Sequence, residues 1–325
     1  MQETVQKLTA SGKGILAADE STHTIKERFE SIGIESTPET HRKYREMLVT
    51  TPGIENYLGG VIFFDETVHQ LIEGRSFPDY LTEKGIIPGI KVDEGLESFN
   101  ETTEKITKGI ETLDSRLKDY RQLGLRFTKW RAVYSISDIY PSDALLNESA
   151  ERLAAFAEIS QANGFVPIIE PEILLVGNHT TTRCDEIETE VLKVVFEKIG
   201  SKNVDLTNLL LKTSMVLPGK DSGVKAEPLE VAHATLRALR KSVPSEVAGI
   251  VFLSGGQSPD EAMNNLNEII KLKADAPWEI SFSFARALQE EAMKEWSGRD
   301  ENIVASQEKF ITRLRNVSNA RNGKL

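Results

Sequence analysis

LLLKTSMVL, at residues 209–217, is a short apolar run with a single lysine, Lys212, near its centre. Asn208 precedes the run and Pro218-Gly219 follow it, a pattern that predicts a buried strand. A buried ammonium is costly unless it is paired with a carboxylate or shifted toward the neutral amine, and a neutral lysine amine can attack a carbonyl carbon to form a Schiff base. For this strand alone, a lysine paired with a carboxylate or extending from a sheet edge is the simpler interpretation.

Similar apolar runs recur along the chain and alternate with amphipathic stretches. The predicted strands lie at 14–19, 58–64, 88–93, 127–136, 165–174, 209–217, 249–254 and 278–284. The predicted helices between them include 22–31, 37–49, 102–123, 141–162, 182–199, 228–242, 259–273 and 285–296. Strands separated by helices favour parallel pairing, because parallel neighbours need a crossover connection. Eight such strands in a chain of 325 residues predict an α/β fold, a single (β/α)₈ TIM barrel that occupies residues 1–325 as one catalytic domain.

Two other α/β arrangements fit the sequence less well. A doubly wound open sheet normally carries a glycine-rich fingerprint after its first strand, whereas Asp19-Glu20-Ser21 stands there in this chain. Two smaller domains would need a boundary, and no linker or low-complexity segment divides the sequence.

The composition excludes several classes of function. A formal net charge of −11 argues against a nucleic-acid-binding surface. Cys184 is the only cysteine, so no intrachain disulfide and no cysteine-rich metal site can form, and the five histidines lack zinc-ligand spacing. No apolar stretch is long enough to span a membrane, and the polar start lacks a signal core, so the sequence predicts a cytoplasmic protein. We also expect no metal and no cofactor.

Charged residues occur within these apolar strands, mostly toward the carboxyl ends. Residues two apart on a strand face the same way, and in a barrel the inward positions near the carboxyl ends open into one cavity. Lys129, Glu170 and Lys212 can therefore converge although they are far apart in sequence. Any one of them could be a structural ion pair, but their placement at matching strand ends favours a site.

The chemistry of such a site follows from the residue types. Lys129 close to Lys212 would disfavour two ammonium groups and lower the pKa of the nucleophile. Glu170 and Glu172 could transfer protons while a carbinolamine forms and loses water. Asp19, at the end of the first strand, could take a proton from a substrate hydroxyl.

Two groups of residues could bind phosphate on either side of Lys212. The turn Ser254-Gly255-Gly256-Gln257 exposes backbone N–H groups just before a predicted helix, although a glycine turn alone is weak evidence. The candidates on this side are Ser254, Gly255, Gly256, Ser283 and Arg286, and those on the other side are Ser21, Thr24, Arg28 and Lys91. Arg131 is a further candidate for binding the substrate or its phosphates. Two phosphate sites around a Schiff-base lysine predict a bisphosphorylated sugar as the small-molecule substrate.

Several of these segments carry a family likeness. They are GKGILAADES at 12–21, FTKWR at 127–131, PIIEPE at 167–172, LLK at 210–212 and FLSGGQS at 252–258. Together they resemble class I fructose-bisphosphate aldolases, and the likeness covers nearly the whole chain.

The resemblance implies a metal-independent, reversible cleavage of fructose 1,6-bisphosphate in glycolysis and gluconeogenesis, by a cytoplasmic homotetramer. It implies an imine on Lys212, acid–base catalysis by Glu170 with Glu172 and Lys129 assisting, and proton acceptance by Asp19. It assigns the C1 phosphate to the side of Arg286 and the C6 phosphate to the side of Lys91, and it matches Arg28 to an arginine that moves between substrate and phosphate contacts.

Four features depart from the family pattern. His23 and Ala285 stand where glycines are expected, and Thr213-Ser214 stands where Pro-Asn is common. Longer members continue into a tail with a terminal tyrosine that is linked to proton exchange, whereas these residues end at Gly323-Lys324-Leu325. The bond-cleaving assignment does not depend on that tail.

Two alternatives remain open from the sequence. One is a different Schiff-base barrel acting on phosphorylated sugars, of the transaldolase or deoxyribose-phosphate aldolase kind, which would need only one phosphate site. The other is a non-catalytic barrel that serves as a binding protein or scaffold.

Overall fold

The chain folds around a closed barrel of eight parallel strands, and the computed structural model describes all residues, 1–325. The strands are β1 (Gly14–Ala18), β2 (Leu58–Phe63), β3 (Ile87–Lys91), β4 (Phe127–Tyr134), β5 (Val166–Ile173), β6 (Leu210–Thr213), β7 (Gly249–Phe252) and β8 (Glu279–Phe284). The barrel closes where β1 pairs with β8, with Ile15 opposite Ser283. The predicted (β/α)₈ barrel and the existence of all eight predicted strands are confirmed.

Helices surround the barrel and cover the outer faces of its strands. They are α1 (Gln2–Leu8), α2 (Thr22–Glu30), α3 (Pro38–Thr50), α4 (Asp65–Val68), α5 (Phe77–Glu83), α6 (Leu113–Gln122), α7 (Asp143–Ala162), α8 (Thr181–Gly200), α9 (Pro228–Ser242), α10 (Pro259–Leu272), α11 (Arg286–Trp296) and α12 (Ile303–Arg321). Proline at the first position and a reciprocal capping box start α3 and α10, as their sequences predict. No helix combines the length and the apolar character that crossing a membrane requires.

The connection after β3 differs from the prediction. The helix expected over 102–123 begins only at Leu113, because Lys105–Thr107 forms a short antiparallel hairpin with Leu96–Ser98. Gly109 follows that hairpin with a φ of +106°, in a region that no α-helix contains. The glycine therefore separates the hairpin from α6, and the helix prediction was wrong over its first half.

Strand β6 is shorter than the apolar run around it. It ends at Thr213, although the apolar residues continue to Leu217. The Ser214 hydroxyl oxygen accepts a hydrogen bond from Ile173 N at 3.0 Å and lies 3.2 Å from Ile173 O, to which it donates. These side-chain bonds take the place of the next backbone pair, so the chain leaves the sheet one residue after Lys212.

The inner faces of the strands change from apolar to polar along the barrel axis. On several strands an inward apolar residue is followed two positions later by an inward charged residue, as Phe127 is by Lys129 and Leu210 is by Lys212. The inner apolar cluster is Val5, Leu8, Ile15, Ala17, Ile62, Phe127, Val166, Ile168, Leu210 and Val251. Val5 and Leu8 belong to α1, which closes the amino-terminal end of the barrel. The carboxyl-terminal half is left for charged side chains.

Helix α1 approaches the barrel closely at one position. A Cβ atom on Gly59 would lie only 2.3 Å from the carbonyl oxygen of Lys7. Only glycine permits this contact, which explains a residue of low strand propensity inside β2.

A buried carboxyl lies between β6 and the helix layer. Glu188 on α8 accepts a hydrogen bond from the Thr213 hydroxyl, while its other carboxyl oxygen has no partner. Burial raises the pKa of Glu188 to about 8, the Thr213 hydrogen bond opposes this shift, and the nearby Asp185 adds to it. The carboxyl is therefore held close to its neutral form behind the strand that carries Lys212.

Replacing Glu188 with glutamine should change how stability depends on pH. Because folding raises the pKa of Glu188, its favourable contribution is complete below its unfolded pKa and is lost as pH rises toward about 8. We expect the free energy of unfolding of Glu188→Gln, relative to wild type, to rise by on the order of 2–4 kcal/mol between pH 5 and pH 9. Denaturant unfolding across this range measures it.

The exposed Glu190, two residues further on α8, provides the control variant Glu190→Gln. It should follow the wild type at every pH. A Glu188→Gln curve parallel to wild type would contradict a buried neutral carboxyl.

Candidate active site

A cavity of about 1090 Å³ opens at the carboxyl-terminal ends of the strands. Its lining includes every candidate residue from the sequence analysis. They are Asp19, Ser21, Thr24, Arg28, Lys91, Lys129, Arg131, Glu170, Glu172, Lys212, Ser254, Gly255, Gly256, Ser283 and Arg286. The barrel thus brings together side chains that are up to 267 residues apart, from 19 to 286. Their catalytic and binding roles stay predictions.

Lys212 and Glu170 face each other across two neighbouring strands. Leu211 on β6 lies opposite Ile169 on β5, so the next residue on each strand points into the cavity at the same level. The Lys212 Nζ atom lies 2.8 Å from Glu170 Oε1, and both side chains are about 5% exposed or less. The amine is therefore within proton-transfer distance of a carboxylate at the floor of the cavity.

Lys129 joins Glu170 to Asp19. Its Nζ atom lies 2.6 Å from Glu170 Oε2 and donates a hydrogen bond of 2.9 Å to Asp19 Oδ2. Lys212, Glu170, Lys129 and Asp19 thus form a continuous chain of alternating charge. Glu170 is shared by the two lysines.

The lysines keep both buried carboxyls ionised. Burial by itself raises the pKa of Asp19, but Lys129 and Lys212 outweigh it and hold that pKa at about 2. Burial likewise raises the pKa of Glu170, yet Lys129 and Lys212 bring it below its ordinary value. For Lys129, burial lowers the pKa, but Asp19 and Glu170 raise it well above its ordinary value. Asp19 and Glu170 are consequently bases, and Lys129 is a fixed positive charge.

Glu172 occupies a different part of the cavity from its neighbour Glu170. Its Oε2 atom accepts a hydrogen bond of 2.6 Å from Arg131 Nε. Neither Lys129 nor Lys212 forms an ion pair with Glu172. The alternation on β5 places both glutamates on the inner face, but the pairing with Arg131 turns Glu172 toward the rim.

One side of the cavity, at the ends of β7 and β8, offers unpaired hydrogen-bond donors and a free positive charge. The Ser283 hydroxyl is buried, with the residue only 1% exposed, and has no hydrogen-bond partner. Gly255 and Gly256 have φ values of +55° and +84°, and their N–H groups donate no hydrogen bond within the chain. Arg286 makes no ion pair. This arrangement suits a phosphate.

On the opposite side, each cation is already paired with a carboxylate. Lys91 Nζ lies 2.5 Å from Asp93 Oδ1, and Arg28 Nη1 lies 2.5 Å from Glu20 Oε1. Ser21 is the N-cap of α2 and lies close to its first turn. An anion on this side would have to compete with carboxylates that neutralise the two cations.

Sequence analysis did not select Glu20 and Asp93 as site residues. Glu20 is 6% exposed and Asp93 is 7% exposed, and both line the cavity. Glu20 directly follows the candidate Asp19 at the end of β1, and Asp93 lies two residues after the candidate Lys91 at the end of β3. Charged residues at the ends of buried strands were the available signal, and it marks these two residues as well.

Comparison with known proteins identifies the family. The family model described as fructose-bisphosphate aldolase class-I matches residues 1–325. The chain belongs to the class I fructose-bisphosphate aldolase family. As an aldolase, it is a lyase that cleaves fructose 1,6-bisphosphate in glycolysis.

Similar aldolases occur in Arabidopsis thaliana and Toxoplasma gondii. The cytosolic fructose-bisphosphate aldolase 4 of Arabidopsis thaliana is 46% identical over 311 residues, which are 95% of this chain and 79% of the relative. Fructose-bisphosphate aldolase 1 of Toxoplasma gondii is 45% identical over 328 residues, covering 100% of this chain and 90% of the relative.

A crystallised aldolase has the same fold. The fructose-bisphosphate aldolase of Plasmodium falciparum, solved in complex with TRAP and a small-molecule inhibitor, superposes with a TM-score of 0.97 at 43% identity. The match covers 99% of this aldolase and 94% of the Plasmodium chain.

Proposed function

We propose that this aldolase cleaves fructose 1,6-bisphosphate through an imine on Lys212. In this proposal Glu170 is the acid–base group for imine formation, and Asp19 accepts the C4-hydroxyl proton. The observation that carries the proposal is the continuous chain Lys212–Glu170–Lys129–Asp19 at the floor of the cavity.

Imine formation requires proton transfer at two points. Glu170 first takes a proton from the Lys212 ammonium, which lies 2.8 Å away, so that the neutral amine adds to the C2 carbonyl. Protonated Glu170 then gives the proton to the carbinolamine hydroxyl, which leaves as water. Lys129, paired with the second oxygen of Glu170, stabilises the Glu170 carboxylate before the first transfer and after the second.

The protonated imine then acts as the electron sink for bond cleavage. Asp19 takes the C4-hydroxyl proton, the C3–C4 electron pair moves into the imine, and glyceraldehyde 3-phosphate leaves. The remaining enamine takes up one proton at C3 from solvent while Asp19 returns its proton to solvent, and water hydrolyses the resulting iminium to release dihydroxyacetone phosphate and free Lys212. Because the pKa of Asp19 is about 2, its carboxylate is ionised at neutral pH and carries no proton of its own when the hydroxyl proton arrives.

We assign the two phosphates to opposite sides of the cavity. The C1 phosphate is placed against Ser254, Gly255, Gly256, Ser283 and Arg286, where donors are unpaired. The C6 phosphate is placed near Ser21, Thr24, Lys91 and Arg131, and Arg28 serves either phosphate. Glu172 assists by orienting Arg131, with which it is paired.

Cleavage assays with two substrates test both the reaction and the phosphate assignment. We expect Lys91→Met to lower kcat/KM for fructose 1,6-bisphosphate by about 10- to 100-fold, because it removes a charge beside the C6 phosphate. The loss for fructose 1-phosphate, which lacks that phosphate, should stay below about threefold.

Comparing two substrates on the same variant controls for any disturbance of the Lys91–Asp93 pair. Lys108→Met, which changes an exposed lysine, provides a second control. Equal losses for both substrates would contradict the two-phosphate assignment. They would favour a one-phosphate Schiff-base enzyme of the transaldolase kind.

The setting of this activity is also part of the proposal. We propose one catalytic domain over residues 1–325 that assembles as a homotetramer in the cytoplasm, with a sugar phosphate as its ligand. The charge of −11 argues against nucleic acid as a partner. Cytosolic relatives support the location, whereas the Chlamydomonas reinhardtii relative is chloroplastic.

A further inference from the structure

Two positive charges converge on one glycine beside the cavity. A Cβ atom on Gly256 would lie 3.3 Å from Lys220 Nζ and 3.5 Å from Arg286 Nη2. Because glycine has no side chain, the ammonium group of Lys220 and the guanidinium group of Arg286 both have room to lie against the turn. Lys220 was not a candidate in the sequence analysis.

Neither cation forms an ion pair with a carboxylate. Lys220 and Arg286 form no ion pair within the chain, although Asp and Glu outnumber Lys and Arg by 50 to 39. On α10, Glu261 accepts a hydrogen bond from Ser258 N and lies 3.9 Å from Lys225, and it forms no ion pair with Lys220. Like charges that converge without a counterion repel each other, and an anion bound between them would remove that repulsion.

The loop that carries Lys220 is fixed in place by the loop after β5. Lys220 N donates to Leu175 O at 2.9 Å, and Gly219 N donates to His179 O at 2.9 Å. Asp221 N donates to Gly177 O at 2.8 Å, and the Asp221 side chain accepts from Gly177 N at 3.0 Å. The backbone is therefore rigid at the point where the lysine side chain begins, which reduces the entropy lost on binding.

Lys220 reaches the turn from outside the main cavity. It lines a neighbouring groove of about 420 Å³, and Gly256 lines both this groove and the main cavity. The turn also presents the free N–H groups of Gly255 and Gly256. A phosphate on the turn would thus meet Arg286 and Lys220 together with backbone donors.

We propose that Lys220 is a further phosphate-binding residue, which clamps the C1 phosphate against Gly256 together with Arg286. The inference rests on the proposed placement of the C1 phosphate and adds a residue that neither the strand pattern nor the motifs indicate. Lys220 would favour a doubly charged phosphate monoester over an uncharged sugar end. It takes no part in the proton transfers of Lys212, Glu170 and Asp19.

Binding of glycerol 1-phosphate tests this role without any chemistry at Lys212, because this probe has no carbonyl group. Calorimetry with the full chain should show a Kd about 10-fold higher for Lys220→Met than for wild type, and Lys220→Arg should restore most of the affinity. With fructose 1,6-bisphosphate, Lys220→Met should raise KM by a similar factor and leave kcat within about twofold.

Lys225→Met is the matched control, since Lys225 lies in the same loop, is 80% exposed and is 3.9 Å from Glu261. Its Kd for glycerol 1-phosphate should equal that of wild type. Equal Kd values for wild type and Lys220→Met, or an equal rise for Lys225→Met, would overturn the proposal. Failure of the imine mechanism would not alter this binding result, so the two proposals fail separately.

Discussion

Lys212→Arg is expected to lower kcat for fructose 1,6-bisphosphate cleavage by at least about 10⁴-fold while the protein stays folded. A guanidinium keeps its proton at all accessible pH values, so it cannot attack the C2 carbonyl. It does keep the positive charge opposite Glu170, which Lys212 approaches to 2.8 Å. Arginine therefore separates the loss of the nucleophile from the loss of a buried ion pair.

The measurement is a steady-state cleavage assay, with thermal unfolding of the same preparation. Lys202→Arg, at a half-buried lysine paired with Glu151, makes the same chemical change far from the cavity and should keep full activity. An active Lys212→Arg enzyme would contradict an imine at this position. A variant that unfolds would call for Lys212→Met, which leaves Glu170 paired with Lys129.

Asp19→Asn is expected to stop bond cleavage while leaving imine formation intact. Asp19 is ionised because the lysines hold its pKa at about 2, so its carboxylate can accept the C4-hydroxyl proton, which an asparagine amide cannot. We expect kcat for cleavage to fall by about 10³-fold, within the usual range for loss of a general base. Dihydroxyacetone phosphate should still form an imine with Lys212, because Glu170 keeps both lysine contacts.

Two readouts on the same variant separate these steps. Cleavage is followed by release of glyceraldehyde 3-phosphate, and imine formation by borohydride-dependent mass gain with dihydroxyacetone phosphate. Loss of both signals would place Asp19 in imine formation instead, and retention of cleavage would remove it from catalysis. Because the pKa of Asp19 is about 2, this residue should add no inflection to the wild-type pH profile between pH 5 and pH 9.

The barrel was predictable because its signals are local and repeated. Short apolar runs alternate with capped amphipathic helices, and charged residues at the strand ends point inward with a spacing of two. The sequence pattern therefore predicts that Lys129, Glu170 and Lys212 lie in one cavity. Their side chains lie there because closing the barrel brings all the strand ends together.

What the sequence did not predict depends on contacts between distant segments. The hairpin ending at Thr107 is too short to give a periodic pattern of apolar residues. A glycine at position 109 is equally consistent with an ordinary turn. Lys220 lies in an irregular loop whose position is set by hydrogen bonds to the loop after β5. The pairing of Glu172 with Arg131 depends on side-chain orientation, which strand alternation leaves open.

The neutral character of Glu188 is a further example. On α8 it occupies a position on the buried face, and a glutamate there is normally expected to be paired. Only the structure shows that its partner is the Thr213 hydroxyl and that one oxygen has no partner. The burial of the Glu188 carboxyl results from the packing of α8 against β6, so it depends on contacts between separate segments of the chain.

The most direct test of the central claim is to trap the imine and locate it. The protein is incubated with fructose 1,6-bisphosphate and a chelator, reduced with borohydride, and digested for peptide mass spectrometry. We expect a reduced sugar-phosphate adduct on Lys212 and none on Lys129, which shares the cavity floor. An adduct on Lys129, or none at all in protein shown to be folded, would contradict the Lys212 mechanism.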